Sequence, residues 1–281
     1  MRVAIIGGTG VLSAHVVPRL IERGHDVHVL GTRPDSVRRL ERLGARGFTG
    51  SIFEPATLLP ALAGCDAALH LATSVPRPGS KPDFAMNDRI RREGTNCLLA
   101  VCTKAQITRL VVQSIAMLHA DPDRGWADEN SPIHPHLVTA SAADMEKLVR
   151  DSALDWRIVR GGLFYGPLTG REEEWRELAR KNQLVAPGDG GDYVSPVHVS
   201  DMAEATVLAT LAQNGRFIVN AVDDCPVTYA ELYGHIAKLE GREAPASGAA
   251  LRISSFRVRN DEAKSRLNWR PHYPSYRSGI V

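Results

Sequence analysis

Gly7-Gly8-Thr9-Gly10-Val11-Leu12-Ser13 follows the apolar run Val3–Ile6 and opens the helix-period stretch Val11–Ile21. Glycines at such a turn let backbone N–H groups approach a pyrophosphate, and the helix N-terminus favours its charge. The chemistry implied is dinucleotide binding, with Gly7, Gly8, Thr9, Gly10, Val11 and Leu12 against the cofactor. Ser13 takes the third small position, where glycine would leave more room for packing. The next strand ends Gly31-Thr32-Arg33, without the acidic residue that would bind an adenosine ribose 2′-hydroxyl. Arg33, aided by Arg38, is placed to meet a 2′-phosphate, so NADP(H) is expected over NAD(H). The plain alternative is that both arginines are solvated charges on a helix.

Other side chains suggest less. Cys65, Cys97, Cys102 and Cys225 form no C-x-x-C pair, which fits a reduced, cytoplasmic protein with buried thiols. His70 and His198 lack the spacing of metal ligands, and no metal is expected. Lys+Arg total 34 and Asp+Glu 32, a net charge of +2, and the short basic clusters lie beside acidic residues. That is no nucleic-acid footprint. No long apolar run suggests a membrane span or signal peptide. A small-molecule substrate is the expected partner.

The elements that must position these residues alternate along the 281-residue chain. Strands are expected at Val3–Ile6, Asp26–Leu30, Gly47–Thr49, Ala67–Leu71, Leu110–Gln113, Trp156–Arg160 and Arg216–Asn220. Helices are expected at Val11–Ile21, Ser36–Leu43, Pro55–Leu62, Met86–Lys104, Ala142–Ser152, Glu172–Lys181, Thr228–Leu239 and Asn260–Leu267, with a further strand and helix inside Val194–Leu211. Such βα alternation predicts an α/β fold, a doubly wound Rossmann parallel sheet of about seven strands, with a small C-terminal substrate lobe. The core is assigned to residues 1–166 and 192–222, the lobe to 167–191 and 223–281. Glu172–Glu174 with Arg176, Arg180 and Lys181 reads as an ion-paired surface helix, and Asp128-Glu129 as a solvated pair.

Several motifs resemble the extended short-chain dehydrogenase/reductase family of NAD-dependent epimerase/dehydratase type. They are Gly50-Ser51-Ile52, Leu69-His70-Leu71-Ala72, Glu93-Gly94-Thr95-Asn96, Phe164-Tyr165-Gly166-Pro167, Val197-His198-Val199-Ser200-Asp201 and Leu267-Asn268-Trp269-Arg270-Pro271. In the last, Asn268 replaces glycine and would take a left-handed helix end. The resemblance implies cofactor contacts at Ser51, Ile52, Leu71, Ala72, Thr73 and Gln113. It implies substrate contacts at Ser74, Ile115, Met117, His119, Val138, Leu163 and Tyr193. It also implies a catalytic serine at Ser114 and, in many members, a homodimer through the fourth and fifth helices.

The family's Tyr-x-x-x-Lys pair would fall at Val138 and Ala142, and Arg91 stands where a helix asparagine is common. No tyrosine precedes Tyr165; all six lie at or beyond it. The chain therefore resembles an atypical branch without the usual proton donor, a group commonly worth about 10²–10⁴-fold in rate. Three readings follow. In the first, an NADP-dependent reductase of a small carbonyl or hydroxyl metabolite uses a substitute donor: His136 first, then His119, His134 or Tyr165. In the second, a redox-neutral isomerase, dehydratase or cyclase retains the cofactor, and Asp189 or Tyr193 in the Gly-rich loop orients substrate. In the third, a dinucleotide sensor does no chemistry.

Overall fold

The computed structural model describes residues 1–76, 83–121, 123–213 and 215–281. Seven strands, β1 (Arg2–Ile6), β2 (Asp26–Gly31), β3 (Arg46–Thr49), β4 (Ala67–His70), β5 (Arg109–Ile115), β6 (Asp155–Gly161) and β7 (Phe217–Ala221), form one sheet. Their order is β7-β6-β5-β4-β1-β2-β3, and every neighbouring pair is parallel. Strand order reverses between β1 and β4, the crevice in which open α/β sheets bind ligands.

The helices are α1 (Val11–Glu22), α2 (Pro34–Glu41), α3 (Pro55–Leu62), α4 (Ala85–Arg89), α5 (Thr95–Lys104), α6 (Ala140–Asp151), α7 (Arg171–Arg180), α8 (Val199–Leu211), α9 (Tyr229–Leu239), α10 (Asp261–Leu267) and α11 (Tyr276–Gly279). Because helices cover both faces of the sheet, its central strands are apolar on both. Val3 and Ile5 pack with α1 and α8, while Ala4 and Ile6 pack with α3, α5 and α6. A third cluster, including Trp175, Leu232, Ile236, Phe256, Tyr276 and Ile280, forms the lobe. Short strand pairs tie the lobe to the core: Leu163–Tyr165 with Pro196–His198, and Trp126–Ala127 with Arg257–Val258.

Several expectations are corrected. The helix expected over Met86–Lys104 is interrupted by a π-turn, Ile90–Gly94. Asp261–Trp269, assigned to the lobe, packs on the core instead, where Ala263 and Leu267 meet the α1/α8 face and Trp269 Nε1 donates to Asp201 O at 3.0 Å. Asn268 ends α10 in the left-handed region, with φ of +50°. Lys181 pairs with Glu177 of its own helix at 2.6 Å, whereas Arg176 and Arg180 reach beyond it. They clamp Glu240, at the end of α9, at 2.8 and 2.9 Å. Glu129 is not solvated: its carboxylate accepts from Asn220 N in β7 at 2.6 Å, and burial pushes its titration up.

Candidate active site

The β1–α1 turn is held by Gly7 N and Gly8 N, which both donate to Leu30 O at 3.1 and 2.9 Å. Gly7 has φ of +84°, and a Cβ there would lie 2.4 Å from Ala72 Cα. Only glycine lets this turn close against the loop after β4. Ser13 does more than fill the third small position, since its hydroxyl donates to Gly7 O at 2.9 Å and braces the turn. Gly10 caps α1 without a side-chain hydrogen bond, so the N–H groups of Val11 and Leu12 in the first turn need an outside acceptor. Thr9 lies against Gly31, where a Cβ would come within 2.5 Å of its methyl.

The rest of the crevice is assembled from four loops. Arg33 is exposed at the start of α2 and forms no ion pair or side-chain hydrogen bond among the described residues, whereas Arg38 pairs with Asp35. Ser51 N donates to Thr57 Oγ1 at 3.1 Å, and Ile52 packs against Gly94, where a Cβ would sit 2.9 Å away. Leu71 N donates to Ile6 O at 2.9 Å, and Ser74 N donates to Asn87 Oδ1 at 3.0 Å. Ala72 is half-buried and Thr73 exposed, while Gln113 is half-buried on β5 beside Val159 of β6. A strained glycine turn, an uncapped helix start and a free arginine at the end of β2 fit a dinucleotide.

Beside this crevice lies a buried polar network. The Ser114 hydroxyl donates to Glu146 Oε1 at 2.6 Å. Arg160, opposite Ser114 across β5 and β6, donates to both oxygens of Glu146 at 2.9 and 2.7 Å. Its Nη1 also donates to His119 Nε2 at 2.7 Å. Burial and the Arg160 charge push the His119 imidazole down to about 4. It is therefore neutral, with its proton on Nδ1 towards Pro132 O. His119 is occupied as an acceptor inside the network and does not serve as the substitute acid.

Tyr165 does not suit the catalytic role expected of it. Its ring is buried against Gly279 and His198, its hydroxyl donates to Ser275 O at 3.5 Å, and burial pushes the phenol well above its ordinary range. Leu163 is buried in the lobe core, with Met117 half-buried against it. Ile115 is half-buried. Tyr193 stacks under the Arg257 guanidinium, 4.4 Å from the ring centroid. Asp189 pairs with Arg124 at 3.0 Å.

His136 precedes α6, where its carbonyl accepts from Thr139 N and Ala140 N. Its Nε2 is buried without a partner among the described residues. It lines a cleft of about 680 Å³ together with Ala120, Ile133, His134, Leu251 and Arg252. Val138 is half-buried next to Leu137, which is 91% exposed.

Glu146 and Arg160 were not anticipated as site residues. The partial signal is that Ala142 and Glu146 fall four apart on one face of α6 and that an arginine near the end of a buried strand needs a carboxylate. His198 caps α8, with Nδ1 accepting from Ser200 N at 3.2 Å, and His70 binds Thr95 Oγ1 at 3.0 Å.

Comparison with known proteins agrees with this geometry. A family profile described as NAD(P)H-binding matches residues 7–213. The chain is 28% identical over 306 residues to a 3-diazoavenalumate denitrifying reductase of a Streptomyces species, covering 100% of this chain and 99% of the relative. It is 28% identical over 221 residues to a 2-alkyl-3-oxoalkanoate reductase of Stenotrophomonas maltophilia, covering 74% of this chain and 65% of the relative. The solved UDP-glucose 4-epimerase of Thermus thermophilus, in complex with NAD, superposes with a TM-score of 0.81 at 26% identity, covering 100% of this chain and 96% of that one. With its sheet order and its glycine turn, the chain belongs to the NAD(P)H-binding family, as an extended short-chain dehydrogenase/reductase of NAD-dependent epimerase/dehydratase type.

Proposed function

We propose that the protein is a reductase that uses NADP(H) to convert a ketone to an alcohol on a small metabolite carrying a carboxylate. The observation that carries this reading is the cleft wall. His134, His136, Arg252 and Ser254 supply its polar groups, and among the described residues no carboxylate side chain lines it. An anionic substrate group would be drawn to such a wall. Two of the relatives are named for an avenalumate and an oxoalkanoate, both carboxylate names.

Bound NADPH would supply the hydride to the carbonyl carbon. The chain must supply one proton to the oxygen, and His136, which lines the cleft and whose Nε2 is buried without a partner among the described residues, is the group that holds it. The Ser114 hydroxyl, whose proton is directed to Glu146, offers its oxygen to accept from the hydroxyl of the alcohol form. Arg33 accounts for the choice of NADP(H), because a free guanidinium at the end of β2 pairs with a 2′-phosphate.

The test is NADPH oxidation with a 3-oxo acid and with its methyl ester. The acid should be turned over about tenfold better, and Arg252→Ala should erase the preference. Equal turnover of acid and ester in the wild type would overturn the carboxylate assignment. Arg33→Ala should weaken NADP⁺ about tenfold and leave NAD⁺ unchanged; equal loss of both would overturn the NADP(H) assignment. The similarity to an epimerase supports a second, redox-neutral reading. It would show as substrate conversion with no net NADPH consumption.

A further inference from the structure

Arg91 is 7% exposed, yet it has no ion pair with a carboxylate among the described residues. One donor, Nη1, reaches Ser141 Oγ at 3.3 Å, and its other donors meet no acceptor among those residues. A guanidinium so largely withdrawn from water, with a single long hydrogen bond, gains from a ligand that completes it.

Its place is fixed from three sides. Ser141 is the residue on α6 immediately before Ala142, the position at which the resemblance expects a lysine. The Arg91 charge, after burial, helps push His70 at the end of β4 down to about 4, which puts it beside the strand that leads into the crevice loop. Four residues earlier, buried Asn87 holds that same loop through Ser74 N.

The π-turn carries Arg91 to this position. Ile90, Arg91 and Gly94 are its buried residues, and Gly94 packs on Ile52 of the crevice. Extra-residue turns of this kind occur often at functional sites, because they redirect a side chain within an otherwise regular helix.

A dinucleotide lying across the crevice has its adenosine half on the β2 side, where Arg33 is free, and its other half towards β4 and β5. Arg91 stands on that second side, between Ser141 of α6 and His70 at the end of β4. We infer that the free donors of Arg91 grip the ribose of the nicotinamide half, so that a guanidinium from a different helix replaces the cation missing at Ala142. The inference rests on dinucleotide binding and adds the residue that holds the reactive half.

The experiment is calorimetric titration of wild type and Arg91→Met with two ligands: NADP⁺, and 2′-phosphoadenosine 5′-diphosphate, which keeps the adenosine half and both bridging phosphates but lacks the second ribose. NAD⁺ and ADP form the matched pair if the wild type takes NAD⁺. Arg91→Met should weaken the dinucleotide about tenfold or more and leave the truncated ligand within about twofold. Equal weakening of both, as from a structural role or a pyrophosphate contact, overturns the inference, as does no weakening of either. A wild type that binds neither ligand overturns the cofactor reading itself. Should Arg91→Met fail to fold, Arg91→Gln, which keeps a hydrogen bond to Ser141 without the charge, is read by the same two ligands.

Discussion

A hydroxyl that gives its only proton to a buried carboxylate cannot also give it to a substrate, and Ser114 is so placed by Glu146. The carboxylate is itself held by two hydrogen bonds from Arg160, with Arg150 3.6 Å away. The two residues should therefore respond differently to substitution. Ser114→Ala leaves the Arg160–Glu146 pair whole and should cost about 1 kcal/mol of stability, the worth of one hydrogen bond. Glu146→Gln strands a buried guanidinium and should cost about 3 kcal/mol or more. Urea unfolding of the two variants measures both; the reverse order would mean that the network does not hold the site together. Ser114 was legible in the sequence because it ends a strand in a recognisable motif. Glu146 was not, because its partners come from two strands, 32 and 14 residues away in the chain, and only the folded sheet brings them to one carboxylate.

At the scale of elements, the seven strands could be read from short apolar runs separated by helix-period stretches, since a sheet covered on both faces requires that pattern. The lobe was less legible. Its strand pairs are two or three residues long, too short for any periodicity, and its last helix, Tyr276–Gly279, is a single turn. The π-turn was hidden for another reason: one residue added to a helix leaves the apolar count unchanged while it redirects Arg91. The β1–α1 turn is the element whose sequence and geometry agree most closely, and it carries its own prediction. Gly7→Ala would place a Cβ 2.4 Å from Ala72 Cα at a φ of +84°, so the turn must move away from the loop after β4. NADP⁺ affinity should fall by about tenfold or more, with a loss of about 1–2 kcal/mol in stability from the left-handed backbone alone. Wild-type affinity in this variant, measured by calorimetry, would place the pyrophosphate elsewhere.

Across the whole molecule, the lobe and the sheet are joined at Asp223, directly after β7. Its N–H donates to Pro196 O at 2.7 Å, its Oδ1 accepts from Cys225 N at 3.0 Å, and its Oδ2 is buried with no partner among the described residues. The residue is 1% exposed, and burial pushes its carboxyl up to about 8. Between the unfolded value, near 4, and about 8, the folded chain keeps a proton that the unfolded chain has lost. The contribution of Asp223 to stability is thus complete below pH 4 and is lost as pH rises towards 8, by about 1.4 kcal/mol per pH unit at most. Buried His70, His119 and His198 act in the opposite sense. Burial holds each near 4, so the unfolded chain takes up protons that the folded chain refuses, and stability is lost as pH falls from about 6.5 towards 4. Well above pH 6.5 the histidines are neutral in both states and the Asp223 contribution prevails over theirs. Stability should therefore peak near pH 7 and decline towards pH 8, and the decline should vanish in Asp223→Asn, which keeps the acceptor for Cys225 N and replaces the retained proton with an amide. Urea unfolding of both proteins at pH 7, 7.5 and 8 measures the slope. An equal decline in the variant would mean that the junction between sheet and lobe does not hold this proton.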